Sequence, residues 1–201
     1  MKYVIGIDEV GRGSLAGPVL VCAVAVAREL RIKNKELGKL QDSKKLSPAR
    51  RERWFDSLKN HPKIAYTFAR VYPRRIEKIN ISKAANLAAL RAFLRLASNL
   101  NLRSSNAKVY LDGGLYLGDG PKRIPAKTMT RGDQKIKAIK IASIIAKVSR
   151  DRFMTRLAKK YPAYSLEIHK GYGTKVHLAA IKKFGPSEVH RLTFISKCHT
   201  I

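Results

Sequence analysis

Acidic residues are scarce in this sequence, 14 against 42 lysines and arginines, so their positions carry information. Asp8 and Glu9 are adjacent at the end of a short apolar run, Tyr3 to Ile7, that reads as a strand. Neighbours within a strand point to opposite faces, but at its end the chain turns and both carboxylates can reach one cleft. Asp112 closes another apolar run, Val109 to Leu111, just before Gly113 and Gly114. Asp133 stands just before a long helical pattern, where a helix N-terminus favours a carboxylate. Singly, Asp133 reads equally well as a helix cap and Asp112 as a turn former. Together, four carboxylates at element ends make an all-oxygen ligand set suited to Mg2+ or Mn2+. Two such ions would activate a water and stabilise the leaving oxygen of a phosphodiester.

The elements that must position these acids follow from periodicity. The β-branched run Val19 to Ala27 reads as a second strand, Ile64 to Val71 as a third and Pro125 to Met129 as a fifth after Val109 to Leu111. Arg28 to Arg53 is polar and basic, with a helix starting after Ser47-Pro48, an N-cap followed by an N1 proline. Ser82 is expected to cap a helix to about Asn99, with Leu87, Leu90, Leu94 and Ala97 on one face. Gln134 to about Lys160 reads as one long helix, with Ile136, Ile139, Ile144, Ile145 and Val148 at roughly helical spacing. A last helix, Lys175 to Phe184, stops at Gly185-Pro186. Three strands joined by tight turns, then helix, strand and helix, predict a mixed α/β sheet covered by helices.

The formal net charge is +28. Such an excess repels itself in a folded protein, and a polyanionic partner is its simplest explanation; the alternative is a generically basic, solvated surface. Cys22 and Cys198 match no metal spacing and read as free thiols in a reducing cytosol. The apolar run Leu15 to Ala27 is too short to span a bilayer and follows two acids, so neither a membrane span nor a signal peptide is expected.

Gly11-Arg12-Gly13, with Gly17 beyond, follows the first strand. A dinucleotide fingerprint would lead into a helix; here Pro18 and a strand follow, so that reading fails. What remains is a tight turn, or a loop that brings backbone close to a ligand with Arg12 available for phosphate. At this point the sequence resembles the type 2 ribonuclease H (ribonuclease HII) family. The strings IGIDEVGRGSLAGPV, DSKKLS, LDGG, RGD, ASIIAKVSRDR, HKGYGTKVH and GPSEVHR stand in the family's order over nearly the whole chain. The third acidic block reads RGD where the bacterial family more often has lysine before Gly-Asp.

The resemblance implies a ribonuclease H-like domain over residues 1–160 and a small C-terminal helical extension over 161–201, packed as one unit. It implies a catalytic and metal site of Asp8, Glu9, Asp112 and Asp133, using two Mg2+ or Mn2+ ions. It implies that Gly11, Arg12 and Gly13 sense a 2′-hydroxyl and that Tyr172 packs on the deoxyribose beside the cut. The implied substrates are RNA/DNA hybrids and duplex DNA with embedded ribonucleotides. Cleavage would fall 5′ to the ribonucleotide, leaving 3′-OH and 5′-phosphate, in primer removal and ribonucleotide excision by a cytoplasmic monomer.

Lys44 and Lys45 are candidate phosphate contacts or simply solvated lysines. Asp151, inside SRDR, competes with Asp133 for the fourth ligand place and reads as a structural ion-pair residue. His169 and His177 flank Tyr172 and read as supports of that segment. Two other functions compete: a different two-metal nuclease of the same fold, and a non-catalytic basic nucleic-acid-binding protein.

Overall fold

Strand β2 (Val19–Ala27) has no polar residue, and the fold explains why: it is buried along its whole length, on both faces. It lies between β1 (Tyr3–Val10) and β3 (Ile64–Val71), antiparallel to both. On the far side of β1, β4 (Ala107–Asp112) pairs in parallel, and β5 (Lys127–Met129) in parallel with β4. The order is therefore β3-β2-β1-β4-β5, a mixed sheet as the strand pattern leads one to expect. The computed structural model describes residues 3–30, 32, 36–38, 40–103, 106–118, 123–196 and 198. Parts of the basic stretch and of the predicted C-terminal extension lie outside these residues.

Alternation along β2 divides the core. Val19, Val21, Ala23 and Ala25 face α3 (Ile81–Asn99), while Leu20, Cys22, Val24 and Val26 face α1 (Pro48–Lys59) and α5 (Lys137–Ala158). Gly6 in β1 lets α5 lie directly on the sheet. A Cβ there would stand 2.2 Å from the backbone of Ala138 and Ile139.

Three helical expectations are corrected. Helix α3 buries Ala84, Ala85, Ala88, Ala89, Ala92, Phe93 and Leu96, while Leu94 is exposed and Leu87, Leu90 and Ala97 are only partly buried. The small residues win the sheet-facing side because they allow close approach; the leucine spacing marks a flank. Its cap is Asn80, whose side chain accepts from the Lys83 amide at 3.0 Å; Ser82 lies inside the helix. Before it stands α2 (Pro73–Ile79), opened by an N1 proline. The long helix is broken at Ile136, which is extended (φ −109, ψ 118), so α4 (Gly132–Lys135) is a separate short helix before α5.

After α5 come α6 (Leu166–His169), α7 (Lys175–Phe184) and α8 (Leu192–Ile195). They share a third apolar cluster with Leu15, Ala16 and Met154. The C-terminal helices thus pack onto the glycine loop after β1.

Candidate active site

The carboxyl ends of the parallel strands β1 and β4 lie side by side, with Ile7 opposite Leu111. That register brings Asp8, Glu9 and Asp112 to one cleft of about 300 Å³, also lined by Gly11, Arg12, Gly13, Lys44 and Tyr172. Asp8 is 6% exposed; its Oδ1 accepts from the Glu9 amide at 2.8 Å, and Ser143 on α5 also hydrogen-bonds it. Burial pushes the Asp8 carboxyl well above the ordinary range, and the neighbouring Glu9 and Asp112 charges add to this. Burial raises Glu9 too, against the opposing pull of Arg12, whose guanidinium is 3.6 Å away. Asp112 is raised by burial despite accepting from the Gly132 amide at 2.6 Å.

Asp133 stands at a helix N-terminus, apart from the other three acids. It belongs to the first turn of α4, is 2% exposed and is not among the residues lining the cleft. It is near enough to Asp112 to raise that carboxyl, and it pairs at 3.5 Å with Lys44 of the cleft lining. Lys44 is at the cleft; Lys45 is exposed and outside its lining. Asp151 pairs with Lys147 at 2.8 Å rather than with its sequence neighbours Arg150 and Arg152, and it too is outside the cleft lining.

Three residues on one face of α5, four and three apart, were not singled out in the sequence: Ser143, Lys147 and Arg150. Ser143 bonds Ser43 at 2.7 Å, tying the turn Ser43–Lys45 to the site. Arg51 also lines the cleft and donates to the carbonyls of Ser43 and Leu46. The helical spacing of the three was the signal that could have found them.

Two buried guanidiniums shape the glycine loop, and neither was legible as such. Arg191, 0% exposed, donates to the carbonyls of Gly11 (2.8 Å), Arg12 (2.9 Å) and Gly17 (2.8 Å). Arg150, also 0% exposed, donates to Pro18 O, Ala16 O, Ser14 Oγ and Lys170 O. Gly11 has φ +82, and a Cβ there would fall 2.1 Å from Arg150 Nε, so only glycine fits. In a trans peptide the N–H opposes the C=O. With the Gly11 and Arg12 carbonyls turned to Arg191, the amides of Arg12 and Gly13 point away from it.

Tyr172 lies at the other side of the cleft, its ring 5.5 Å from the Arg150 guanidinium and 5.7 Å from Lys147 Nζ. Three histidines hold its turn. The Tyr172 carbonyl accepts from His177 Nδ1 (3.0 Å), which fixes the tautomer: His177 Nε2 must accept from His190 Nε2 (3.1 Å). His190 Nδ1 then accepts from the Ser187 amide (3.0 Å). His169 donates from Nε2 to Tyr164 O (2.8 Å), accepts from the Gly171 amide and stacks on His177 at 4.2 Å. Gly171 O in turn accepts from Leu15 N at 2.8 Å, joining this turn to the glycine loop.

The acids suit a hard divalent cation. Glu9 Oε2 is buried without a hydrogen-bond partner, and Asp8, Glu9 and Asp112 are each raised by burial and, further, by a neighbouring acid. Among the described residues no group of three or more His, Cys, Asp or Glu is already gathered as a metal cage. The carboxylates therefore share a cleft without closing on a point. No helix among the described residues is long and apolar enough to cross a membrane.

The sequence model of the family described as Ribonuclease HII matches residues 5–198. The chain is 39% identical over 194 residues to a ribonuclease HII of Caldicellulosiruptor saccharolyticus, covering 96% of this chain and 87% of that one. It is 44% identical to a ribonuclease HII of Bacillus mycoides, covering 96% and 69%. The fold is similar to ribonuclease H2 from Pyrococcus horikoshii, with TM-score 0.71, 25% identity and coverage of 97% and 96%. It is also similar to the Mn2+ complex of Bst-RNase HIII, with TM-score 0.74, 19% identity and coverage of 98% and 68%.

Proposed function

The chain belongs to the ribonuclease HII family and is thereby a type 2 ribonuclease H; from this premise we propose which bond it cuts and how. The enzyme hydrolyses the phosphodiester 5′ to a ribonucleotide, in RNA/DNA hybrids and at single ribonucleotides in duplex DNA, leaving 3′-OH and 5′-phosphate. The observation that carries this reading is the meeting of Asp8, Glu9 and Asp112 with the loop Gly11 to Gly13 and Tyr172 around one cleft.

Asp8, Glu9, Asp112 and Asp133 would hold two Mg2+ or Mn2+ ions, which would supply an activated water and stabilise the leaving oxygen. The protein's own residues select and align. The outward amides of Arg12 and Gly13 suit a 2′-hydroxyl, and the Tyr172 ring suits the bare face of a deoxyribose. Lys44 and Lys147 lie at the cleft for the strand's phosphates. In cells this chemistry would serve primer removal and ribonucleotide excision, in the cytoplasm, by a monomer whose residues 161–201 act as an extension packed on the catalytic domain.

The test is incubation with Mg2+ or Mn2+ and labelled duplexes carrying no, one or several ribonucleotides. Cleavage only where ribonucleotides stand, and only with the cation, is expected. Cutting of all-DNA duplex would point to another nuclease of this fold. Binding without cutting would point to a basic binding protein.

A further inference from the structure

We infer that a cationic track outside the catalytic cleft, running from Arg12 along α2 and α3 to Arg91, grips the phosphodiester backbone of one arm of the duplex. This rests on the reading that the substrate is a duplex held at the cleft.

The track is continuous with the cleft. Arg12 reaches out of the glycine loop and donates to Ser82 Oγ at 2.9 Å. Lys83, the next residue, lines a hollow of about 240 Å³ with Arg75. Arg75 also lines a second hollow, about 280 Å³, with Arg70, Tyr72, Arg74, Lys78 and Arg91. Among the described residues no carboxylate lines either hollow. Among the described residues none of these six cations, Arg70, Arg74, Arg75, Lys78, Lys83 and Arg91, is in an ion pair.

Aromatic rings support the floor of the second hollow. The Arg70 guanidinium lies over the rings of Phe68 (4.7 Å) and Phe153 (5.2 Å), with its Nε buried and unpartnered. Strand register fixes its distance from the site. Arg70 pairs with Leu20, and Leu20 with Val10, which lines the cleft. Two strand spacings place Arg70 roughly 10 Å from Val10. Along α3, Ser82 to Arg91 spans about 13 Å, or roughly four nucleotides of one strand at about 3.4 Å each.

Unpaired cations so close together repel one another, and a polyanion relieves that repulsion. The track meets the glycine loop at the Arg12–Ser82 contact, so a duplex held in the cleft is the fitting occupant rather than a separate acidic protein.

Replacing Arg74, Lys78 and Arg91 together by Gln tests the track; all three are exposed, and thermal unfolding checks that the fold is kept. Dissociation constants are measured without divalent cation on two duplexes with one ribonucleotide. One has long arms, and the other has one arm cut to about two base pairs, inside the track's reach; each arm is shortened in turn. The wild type should lose about tenfold when the gripped arm is shortened. The triple variant should bind the long duplex as weakly as the wild type binds the short one, and be indifferent to shortening. Its log–log salt slope should fall by about 0.9 for each phosphate that the variant no longer neutralises. Equal binding of the long duplex by wild type and variant, or equal weakening on both duplexes, would overturn the track. Cleavage is read separately: binding without cutting by the wild type sinks the proposed function, while the track still stands or falls on these constants.

Discussion

Glu9 carries the least satisfied atom of the site, a buried oxygen with no hydrogen-bond donor, beside Asp8 and Asp112 that resist ionising together. Asp112→Asn keeps the shape and removes one charge. It should lower cleavage by at least about a hundredfold while leaving duplex binding unchanged or tighter, since one charge facing the phosphates is gone. Substantial residual cleavage would take Asp112 out of the chemistry. Tyr172→Ala tests the junction reading. It should reduce kcat/KM at a single embedded ribonucleotide much more than within a long hybrid, each tenfold being roughly 1.4 kcal/mol of transition-state stabilisation. Equal losses on both substrates would leave Tyr172 as a packing residue. Asp8, Glu9 and Asp112 were legible in the sequence because strand ends and turn glycines announce themselves locally. Asp133 was legible as an acid near the site but not as part of a separate short helix, because Ile136 breaks the helical pattern without a proline or glycine to mark the break.

At the scale of elements, the alanine face of α3 and the single-residue break before α5 were hidden for a common reason. Periodicity reports which residues are apolar, whereas the separation of helix and sheet decides which apolar residues fit. Thus Leu94 ends exposed and Ala88 buried. The histidine chain beneath Tyr172 was visible only as two histidines in one string; His190, which completes it, arrives from the loop before α8. Its hydrogen bonds require all three rings neutral. Burial lowers all three, His177 to about 4. Unfolded, these rings take up protons near pH 6.5. The stability they contribute is therefore full above about pH 6.5 and is lost as pH falls toward 4, by up to about 1.4 kcal/mol per pH unit for His177. The raised carboxyl of Asp8 works in the opposite direction, so the comparison needed is between the wild type and His177→Asn. The wild type should lose more stability to denaturant between pH 7 and 5 than the variant, and NMR titration should show His177 neutral down to about pH 4. Parallel stability profiles would show the chain to be protonated already.

Across the whole molecule, Arg191 connects the two ends of the chain: its guanidinium holds Gly11, 180 residues away in sequence, and is drawn down by burial and by Arg150 to about 9. Arg191→Met leaves several buried carbonyls without donors. The expected cost is on the order of 3 kcal/mol, with a blunted preference for ribonucleotide-containing duplex in whatever folded protein remains. Arg191→Lys should recover only part of this, because one ammonium cannot serve carbonyls spread over a planar fork. A variant whose preference is untouched at full stability would make the residue dispensable to the loop. Arg191 closes the string GPSEVHR, but neither that string nor any periodicity says which carbonyls its guanidinium meets. The arrangement also has a consequence for how the protein is made. Asp8, Glu9 and Asp112 all precede Arg191 in the sequence, so the chain gains the donor to the Gly11, Arg12 and Gly17 carbonyls only after the three acids of the cleft. The glycine loop therefore cannot take its final hydrogen bonds until residue 191 has been made and folded back onto it, and the ribose reading proposed for that loop waits on the same event.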